Sequence, residues 1–255
     1  MTVTFTRAVD RLRSAGCVFA EDEAGLILAE SAPEDVDRLL RRREEGEPLE
    51  QILGWAEFCG LRIVVEPGVF VPRRRTEFLA RRAAAYARSG SIVVDLCCGT
   101  GAVGRAIADQ VPGVEVYAAD VDPVAVRCAR ANLTGALLQA YQGDLFEALP
   151  RELLGRVDVL AVNAPYVPSG QIALMPPEAR DHEPRVALDG GPDGVDIHRR
   201  VAAGAGAWLA PGGRILIETS DEQAAVTSAA LADNGFRAEI AVDDELGATV
   251  AIGQA

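Results

Sequence analysis

Apolar and polar positions follow two different rhythms along this chain. Up to about residue 50 the apolar residues recur at helical spacing. Phe5, Val9 and Leu12 fall three or four apart, and the run ends at Gly16. A second helical run carries Val36, Leu39 and Leu40 inward and stops near Gly46. Before it, Ser31-Ala-Pro-Glu34 has the spacing of a capping box, in which each side chain meets the other's backbone amide. The stretch WAEFCGLRIVVEPGVFVP (55–72) is rich in β-formers and divided by Gly60 and by Pro67-Gly68, which predicts a hairpin. A helix from Thr76 through Arg88 follows, with Thr76 as its N-cap and Glu77 in its first turn.

From Ser91 onward, short apolar runs alternate with helical periods. SIVVDL, VEVYAAD, RVDVLAVN and GRILIET read as buried strands. GAVGRAIADQ, DPVAVRCARANL, a longer stretch around 194–210 and DEQAAVTSAALADNG read as helices, and the strands FRAEIAV and ATVAIG close the chain. This alternation predicts an α/β fold with a mostly parallel, doubly wound sheet, whose ligands bind at the carboxyl edge of the strands. The expected division is a small helical N-terminal domain over 1–54, a β-hairpin linker over 55–74 and a catalytic domain over 75–255. The segment from Val167 to about Gly194 is long and rich in Pro, Gly and acid, the profile of a lid that shapes a substrate mouth.

Composition then removes several functions. The 255 residues suffice for one large domain, or a full domain plus a small one. A net charge of −13 disfavours nucleic acid as a partner, because the short arginine clusters at 41–43 and 73–75 sit in an acidic whole. No window approaches the ~20 apolar residues of a membrane span, and the charged, amphipathic N-terminus lacks a signal-like apolar run. A cytoplasmic protein without a membrane partner is expected. Every basic residue is arginine, so no lysine chemistry is available. Five cysteines without zinc spacing read as small packing residues, and two histidines leave little material for a metal site or a Ser-His-Asp triad. No metal is expected.

The chemistry concentrates in a few short segments. VVDLCCGTGAVG places Gly99, Gly101 and Gly104 between a strand and a helix, a turn that lets a ligand approach the backbone. About 20 residues on, Asp120 ends the next strand, where a carboxylate can accept both hydroxyls of a ribose. These features fit NAD as well as S-adenosylmethionine. Asp95, just before the turn, favours the second ligand, because a carboxylate suits an ammonium group and is awkward beside a pyrophosphate. Asp122-Pro123 reads as an N-cap followed by proline at the first helical position. Asp144 is open to two readings, an acceptor for the adenine amine or a turn residue. Cys97 and Cys98 flank the glycine turn and need small size.

The segments D-L-C-C-G-T-G (95–101), A-A-D-V-D-P (118–123), G-D-L-F (143–146) and N-A-P-Y (163–166), in that order, resemble a class I S-adenosylmethionine-dependent methyltransferase. With GEPLEQILGWAEFCGLRIVVEPGVFVPRRRTEFL (46–79) and EPRVALDGGPDGVDIHRRV (183–201), the chain is similar to the HemK/PrmC-type protein-(glutamine-N5) methyltransferases, which modify peptide-chain release factors. The likeness runs from about residue 40 to near the end. Two departures stand out. The family tetrapeptide is usually N-P-P-Y, and the N-A-P-Y form resembles a paralogous actinobacterial branch. Arg74 replaces the linker's second proline.

The resemblance implies a Rossmann-like class I methyltransferase sheet with S-adenosyl-L-methionine as cofactor and S-adenosyl-L-homocysteine as product. It implies cofactor contacts from Asp95, Cys97, Gly99, Thr100, Gly101, Asp120, Val121, Asp144, Leu145 and Asn163. Asn163, Ala164, Pro165 and Tyr166 are the implied catalytic residues, and Arg73, Glu77, Tyr166 and Glu183 the implied substrate contacts. Arg73 is open to a further role, against the cofactor carboxylate. The implied acceptor is the glutamine of a Gly-Gly-Gln loop in a release factor, held by the N-terminal helices and the lid; a small metabolite or peptide natural product is the alternative. In this scheme the Asn163 side-chain oxygen and the Ala164 carbonyl take the two amide hydrogens of the acceptor, and Tyr166 offers it a flat face.

Overall fold

The computed structural model describes residues 3–255. Its first fifty residues form four short helices: α1 (Phe5–Ser14), α2 (Ala20–Glu30), α3 (Val36–Glu44) and α4 (Leu49–Leu53). They share an apolar core of their own, with Leu12, Ile27 and Leu40 fully buried. Phe5 begins the periodic run but is half exposed, so α1 buries Ala8, Val9 and Leu12 instead. The helix α2 is acid-rich, and its inward face is Ala20, Glu23, Ala24 and Ile27, with a single large apolar residue, which hid its periodicity.

The capping box does not form. Ser31 closes α2, and its hydroxyl donates back to the Ile27 carbonyl. A turn in which the Asp35 amide donates to the Ala32 carbonyl intervenes, and α3 starts only at Val36. A serine hydroxyl one turn beyond its own helix has a nearer acceptor than the next helix's amides.

Next comes the hairpin, β1 (Trp55–Phe58) and β2 (Leu61–Val64), joined by Cys59 and Gly60 with φ of 52° and 74°. Two consecutive positive φ values are what a tight two-residue hairpin turn needs to match strand twist. In chain order the remainder is α5 (Thr76–Tyr86), β3 (Ile92–Leu96), α6 (Ala102–Gln110), β4 (Glu115–Asp120), α7 (Pro123–Asn132), β5 (Leu138–Gln142), β6 (Val157–Val162), α8 (Pro177–His182), α9 (Asp196–Ala205), β7 (Leu209–Thr219), α10 (Asp221–Asp233), β8 (Arg237–Asp243) and β9 (Ala248–Gln254). The expected helix over 194–210 is shorter, because the chain from Leu209 already pairs with β6.

The seven main strands lie in the order β5-β4-β3-β6-β7-β9-β8. The first five run parallel, and β9 is antiparallel to both its neighbours. Alternate strand residues feed two cores. Val93 and Leu216 pack on one face with Leu79, Ala83 and Ile107, whereas Val94, Ile215 and Ile217 pack on the other with Val201, Ala205 and Leu231. The doubly wound reading is thus observed directly. The pairing register aligns Leu96 with Ala119 on one side and with Val162 on the other, and Val162 with Ile217. Cys97, Asp120, Asn163 and Glu218 are therefore each the next residue past one line across the sheet. At its other end the β6–β7 pair is irregular, passing from Val157–Leu209 to Val159–Arg214.

One buried side chain ties the hairpin to this sheet. Asn132, the last residue of α7, accepts from the Val64 amide at 2.8 Å and donates to the Val64 carbonyl at 2.9 Å, as a strand would. Its amino group also donates to the Thr100 carbonyl in the glycine turn at 2.9 Å. Asn132→Ala removes both bonds to Val64 and the bond to the carbonyl of buried Thr100, and is expected to destabilise the fold by about 2–3 kcal/mol. A lower urea midpoint at unchanged slope checks this, and wild-type stability in the variant would refute the clamp.

Candidate active site

Parallel sheets leave a crevice where their strands end, and three of the residues past the line just described, Cys97, Asp120 and Asn163, border one, while Glu218 is buried beside it. A cleft of about 870 Å³ lies there, lined from the linker, the strand ends and the 167–194 segment. Asp95, Cys97, Gly99, Thr100, Asp120, Val121, Asp144, Leu145 and all four residues of N-A-P-Y border it. Gly101 belongs to the same turn, at φ 73°, but caps α6 behind the wall.

The glycine turn is assembled from backbone amides and two carboxylates. Asp120 accepts from the Gly99 amide and from the Asp122 amide, each at 2.9 Å. Asp122 caps α7, accepting from the Val124 amide at 2.8 Å with Pro123 at the first helical position, as expected. Asp95 accepts from the Gly104 amide at 2.8 Å. The third glycine of the motif is required by packing, since a Cβ at Gly104 would lie 2.8 Å from Val116 and 3.1 Å from the Asp95 carboxylate. Cys97 holds a left-handed backbone (φ 57°), which costs an ordinary residue about 1–2 kcal/mol.

Burial dominates the electrostatics at this end. It pushes the Asp95 carboxyl up to about 7, opposed by the Gly104 amide and reinforced by Asp120. Burial also raises Asp120, against the pull of the Asp122 and Gly99 amides. Among the described residues neither acid pairs with an arginine. Two desolvated carboxylates at the wall of a cleft, with no cation of their own, present a ready site for one. Asp144 differs. Arg200 donates to its Oδ2 at 2.7 Å, so one of its two oxygens is already used.

At the other end, Asn163 donates its side-chain amide to the Thr76 hydroxyl at 3.3 Å. This directs the carboxamide oxygen away from Thr76. Among the described residues neither that oxygen nor the Ala164 carbonyl accepts a hydrogen bond. Thr76 is thus no N-cap. It is the first residue of α5, behind Arg75, and its hydroxyl serves Asn163. Tyr166 is held on three sides: its hydroxyl accepts from Arg75 Nε at 3.1 Å and donates to Glu218 at 3.3 Å, and its carbonyl accepts from Gln223 at 2.9 Å. Gly190 backs it closely, because a Cβ there would lie 2.7 Å from the Tyr166 Cα. Burial raises Glu218, and the neighbouring Thr76 hydroxyl is the largest influence opposing that rise.

Two expected substrate contacts lie elsewhere. Glu77 does not border the cleft; it accepts from the Cys59 amide at 3.1 Å and steadies the hairpin turn. The Glu183 side chain is fully buried, accepting from the Val71 amide at 3.1 Å and from Arg73 at 2.6 Å. These acids fasten the linker to α5 and to the segment after α8. Arg73 does border the cleft, paired with Glu183. The 167–194 segment is not bare loop: it contains α8 and three-residue 3₁₀ turns at Ile172–Leu174 and Arg185–Ala187. Arg43 of α3 ties α8 to the N-terminal helices, meeting Glu23 at 2.6 Å and Glu178 at 3.2 Å.

Sequence reasoning gave Arg75, Arg200 and Glu218 no site role and read Thr76 only as an N-cap. For Glu218 a signal existed, since it ends an apolar strand as Asp95 and Asp120 do. Among the described residues no group of three or more His, Cys, Asp or Glu is arranged to hold a metal ion, and no helix is long and apolar enough to cross a membrane.

Comparison with known proteins places this geometry. The family described as Methyltransferase small domain matches residues 60–175. The release factor glutamine methyltransferase of Geobacter sulfurreducens is 38% identical over 200 residues, 78% of this chain and 69% of that protein. A 4-amino-L-phenylalanine/4-methylamino-L-phenylalanine methyltransferase of Streptomyces pristinaespiralis is 37% identical over 233 residues, 88% of this chain and 79% of that protein. In fold, a crystal structure of a methyltransferase from Pyrococcus furiosus matches with a TM-score of 0.58 at 17% identity, covering 86% of this chain and 98% of that one. On sequence and architecture together, the chain belongs to the HemK/PrmC-type methyltransferase family, which includes the release factor glutamine methyltransferases.

Proposed function

We propose that the protein transfers a methyl group from S-adenosylmethionine to the side-chain amide nitrogen of a glutamine in a protein such as a peptide-chain release factor. The names of its relatives support this acceptor. The observation that carries the chemistry is Asn163, whose amino group is engaged by Thr76 while its carbonyl oxygen and that of Ala164 remain free at the cleft.

The residues present fit the cofactor. Asp95 supplies a buried carboxylate for an ammonium group, and Asp120 retains lone pairs for ribose hydroxyls beside the Gly99 backbone. The Cβ direction of Gly99 meets no atom within 4 Å, leaving room for a ligand against the turn. Leu145 and Val121 add apolar wall. When bound, S-adenosylmethionine supplies an electrophilic methyl on a cationic sulfur.

An amide nitrogen is a weak nucleophile, so the protein's contribution is orientation. Asn163 Oδ1 and the Ala164 carbonyl each take one hydrogen of the acceptor NH₂, fixing the direction of its lone pair. Positive charge grows on that nitrogen during transfer, so two fixed acceptors stabilise the transition state more than the ground state. Alanine in the second position keeps this carbonyl. Pro165 restricts the Ala164 backbone, and the braced Tyr166 ring gives a planar amide a surface to lie on. His198 plays no part as a base: its ring is buried, and burial lowers its pKa to about 4.

A second reading has a specific support. The Streptomyces pristinaespiralis relative is named for an aromatic amine on a free amino acid, and it aligns over more of this chain than the Geobacter sulfurreducens protein does. The same two acceptors would orient such an NH₂. Mass spectrometry of full-length release factor after incubation with the enzyme and S-adenosylmethionine is expected to show one added methyl on the glutamine of its Gly-Gly-Gln loop. Asn163→Ala is expected to lose at least about 10²-fold in transfer rate while calorimetry shows S-adenosylhomocysteine affinity unchanged within about twofold. An unmodified release factor alongside methylated 4-amino-L-phenylalanine would replace the first reading with the second.

Thr76 acts as a positioning residue. Thr76→Val is expected to lower kcat about tenfold with little change in KM, and Thr76→Ser to restore it. Equal kcat in the valine and serine variants would remove the role.

The Asp95 carboxyl, raised from 3.8 to about 7, sets a pH dependence. Below 7 it is protonated and cannot pair with an ammonium group, so S-adenosylhomocysteine affinity rises with pH across this range, by up to about tenfold per unit on the acid side. For the ligand-free protein the sign is opposite. The native state holds the extra proton between 3.8 and about 7, so this group's contribution to stability falls as pH rises through that window. Calorimetry at several pH values checks the first trend, which Asp95→Asn should flatten.

A further inference from the structure

The cleft is polarised. Its glycine-turn end holds the unpaired acids Asp95 and Asp120, with Arg200 and Asp144 paired nearby, and three further arginines border the cleft: Arg73, Arg75 and Arg185. Three of the four are matched by a close carboxylate, Arg73 by Glu183 at 2.6 Å, Arg185 by Asp189 at 3.0 Å and Arg200 by Asp144 at 2.7 Å. Arg75 is held more loosely: its Nε donates to the Tyr166 hydroxyl at 3.1 Å, and its ion pair with the buried Glu218 spans 3.5 Å, longer than the other three. Among the described residues its two terminal nitrogens donate to nothing. The side chain keeps 43% of its surface exposed although it borders the cleft.

This arrangement resembles half of a fork-to-fork pair. The contacts at Nε fix the plane of the guanidinium, with Tyr166 as its support, and leave the edge that carries two parallel N–H vectors open. That edge matches a carboxylate in geometry and charge. Arg75 also bonds the Tyr166 hydroxyl, so it touches the same tetrapeptide that carries Asn163.

Resting on the methyltransferase reading above, we propose that Arg75 docks a carboxylate carried by the methyl acceptor. The group is either the α-carboxylate of a free amino acid or a carboxylate of a peptide. It sets specificity at the end of the cleft opposite the two acids, so that a cationic cofactor and an anionic acceptor enter their own halves.

The test is calorimetry on the full chain, first with S-adenosylhomocysteine alone and then with the protein saturated by it. Two pairs of probes are titrated: 4-amino-L-phenylalanine against its carboxamide, and the peptide Gly-Gly-Gln-Gly with a free C-terminus against its C-terminal amide. The carboxylate form of at least one pair is expected to bind at least about tenfold tighter than its amide, and the pair that shows the preference identifies the source. In Arg75→Gln the preference should shrink to under about threefold while S-adenosylhomocysteine affinity holds. Equal binding within both pairs, absence of binding by every probe included, overturns the proposal without recourse to any variant. A preference that survives Arg75→Gln overturns it too. Failure of S-adenosylhomocysteine to bind the wild-type protein strikes the methyltransferase reading itself, so the two failures are separable.

Discussion

The register of five parallel strands is the constraint on which the site depends. Hydrogen bonding aligns Ala119, Leu96, Val162 and Ile217 across the sheet, and the residue after each stands one step past that line. Those four positions hold Cys97, Asp120, Asn163 and Glu218. No local feature of N-A-P-Y places its amide opposite the glycine turn. The backbone ladder does so, because side chains follow their strands with a period of two and the strands end together.

Once the row exists, electrostatics divides the labour within it. Asp95 and Asp120 are stripped of water but keep backbone amides, an arrangement that preserves acceptor capacity without supplying a countercharge. Across the cleft the reverse holds. Glu218, Tyr166, Arg75 and Thr76 bond or approach one another and leave two carbonyl oxygens and one guanidinium edge outward. Both halves work through dipoles held in place before a ligand arrives, and the rigidity comes from neighbours such as Gln223 and Asn132, which bond backbone at two or more points.

Much of this was legible in the residues. Strand–helix alternation, the glycine turn, the acids near the ends of β3 and β4 and the tetrapeptide following β6 all carry local patterns, and each is found where expected. What was not legible depends on contacts between distant segments. Ser31 and Thr76 both carry the local chemistry of a cap, yet Ser31 turns back to Ile27 and Thr76 is drawn to Asn163, 87 residues away. Glu77 and Glu183 fall near motif residues in sequence, but Cys59, Val71 and Arg73 claim them. The acid-rich α2 showed no stripe because its buried face holds two alanines and a glutamate beside a single large apolar residue, Ile27. Arg75 lay inside an arginine cluster whose members only the folded chain distinguishes.

The irregular start of the β6–β7 pair has an evolutionary consequence. Between Leu209 and Arg214 the chain carries Ala-Pro-Gly-Gly against a single residue of the partner strand, so surplus length is shed at the amino end of the sheet. Insertions and deletions there can be absorbed without moving a downstream pair. One residue gained or lost between Val159 and Asn163 would instead invert every side chain that follows and turn the amide out of the crevice. Length variation among descendants of this gene should therefore collect on the side of the sheet remote from the chemistry.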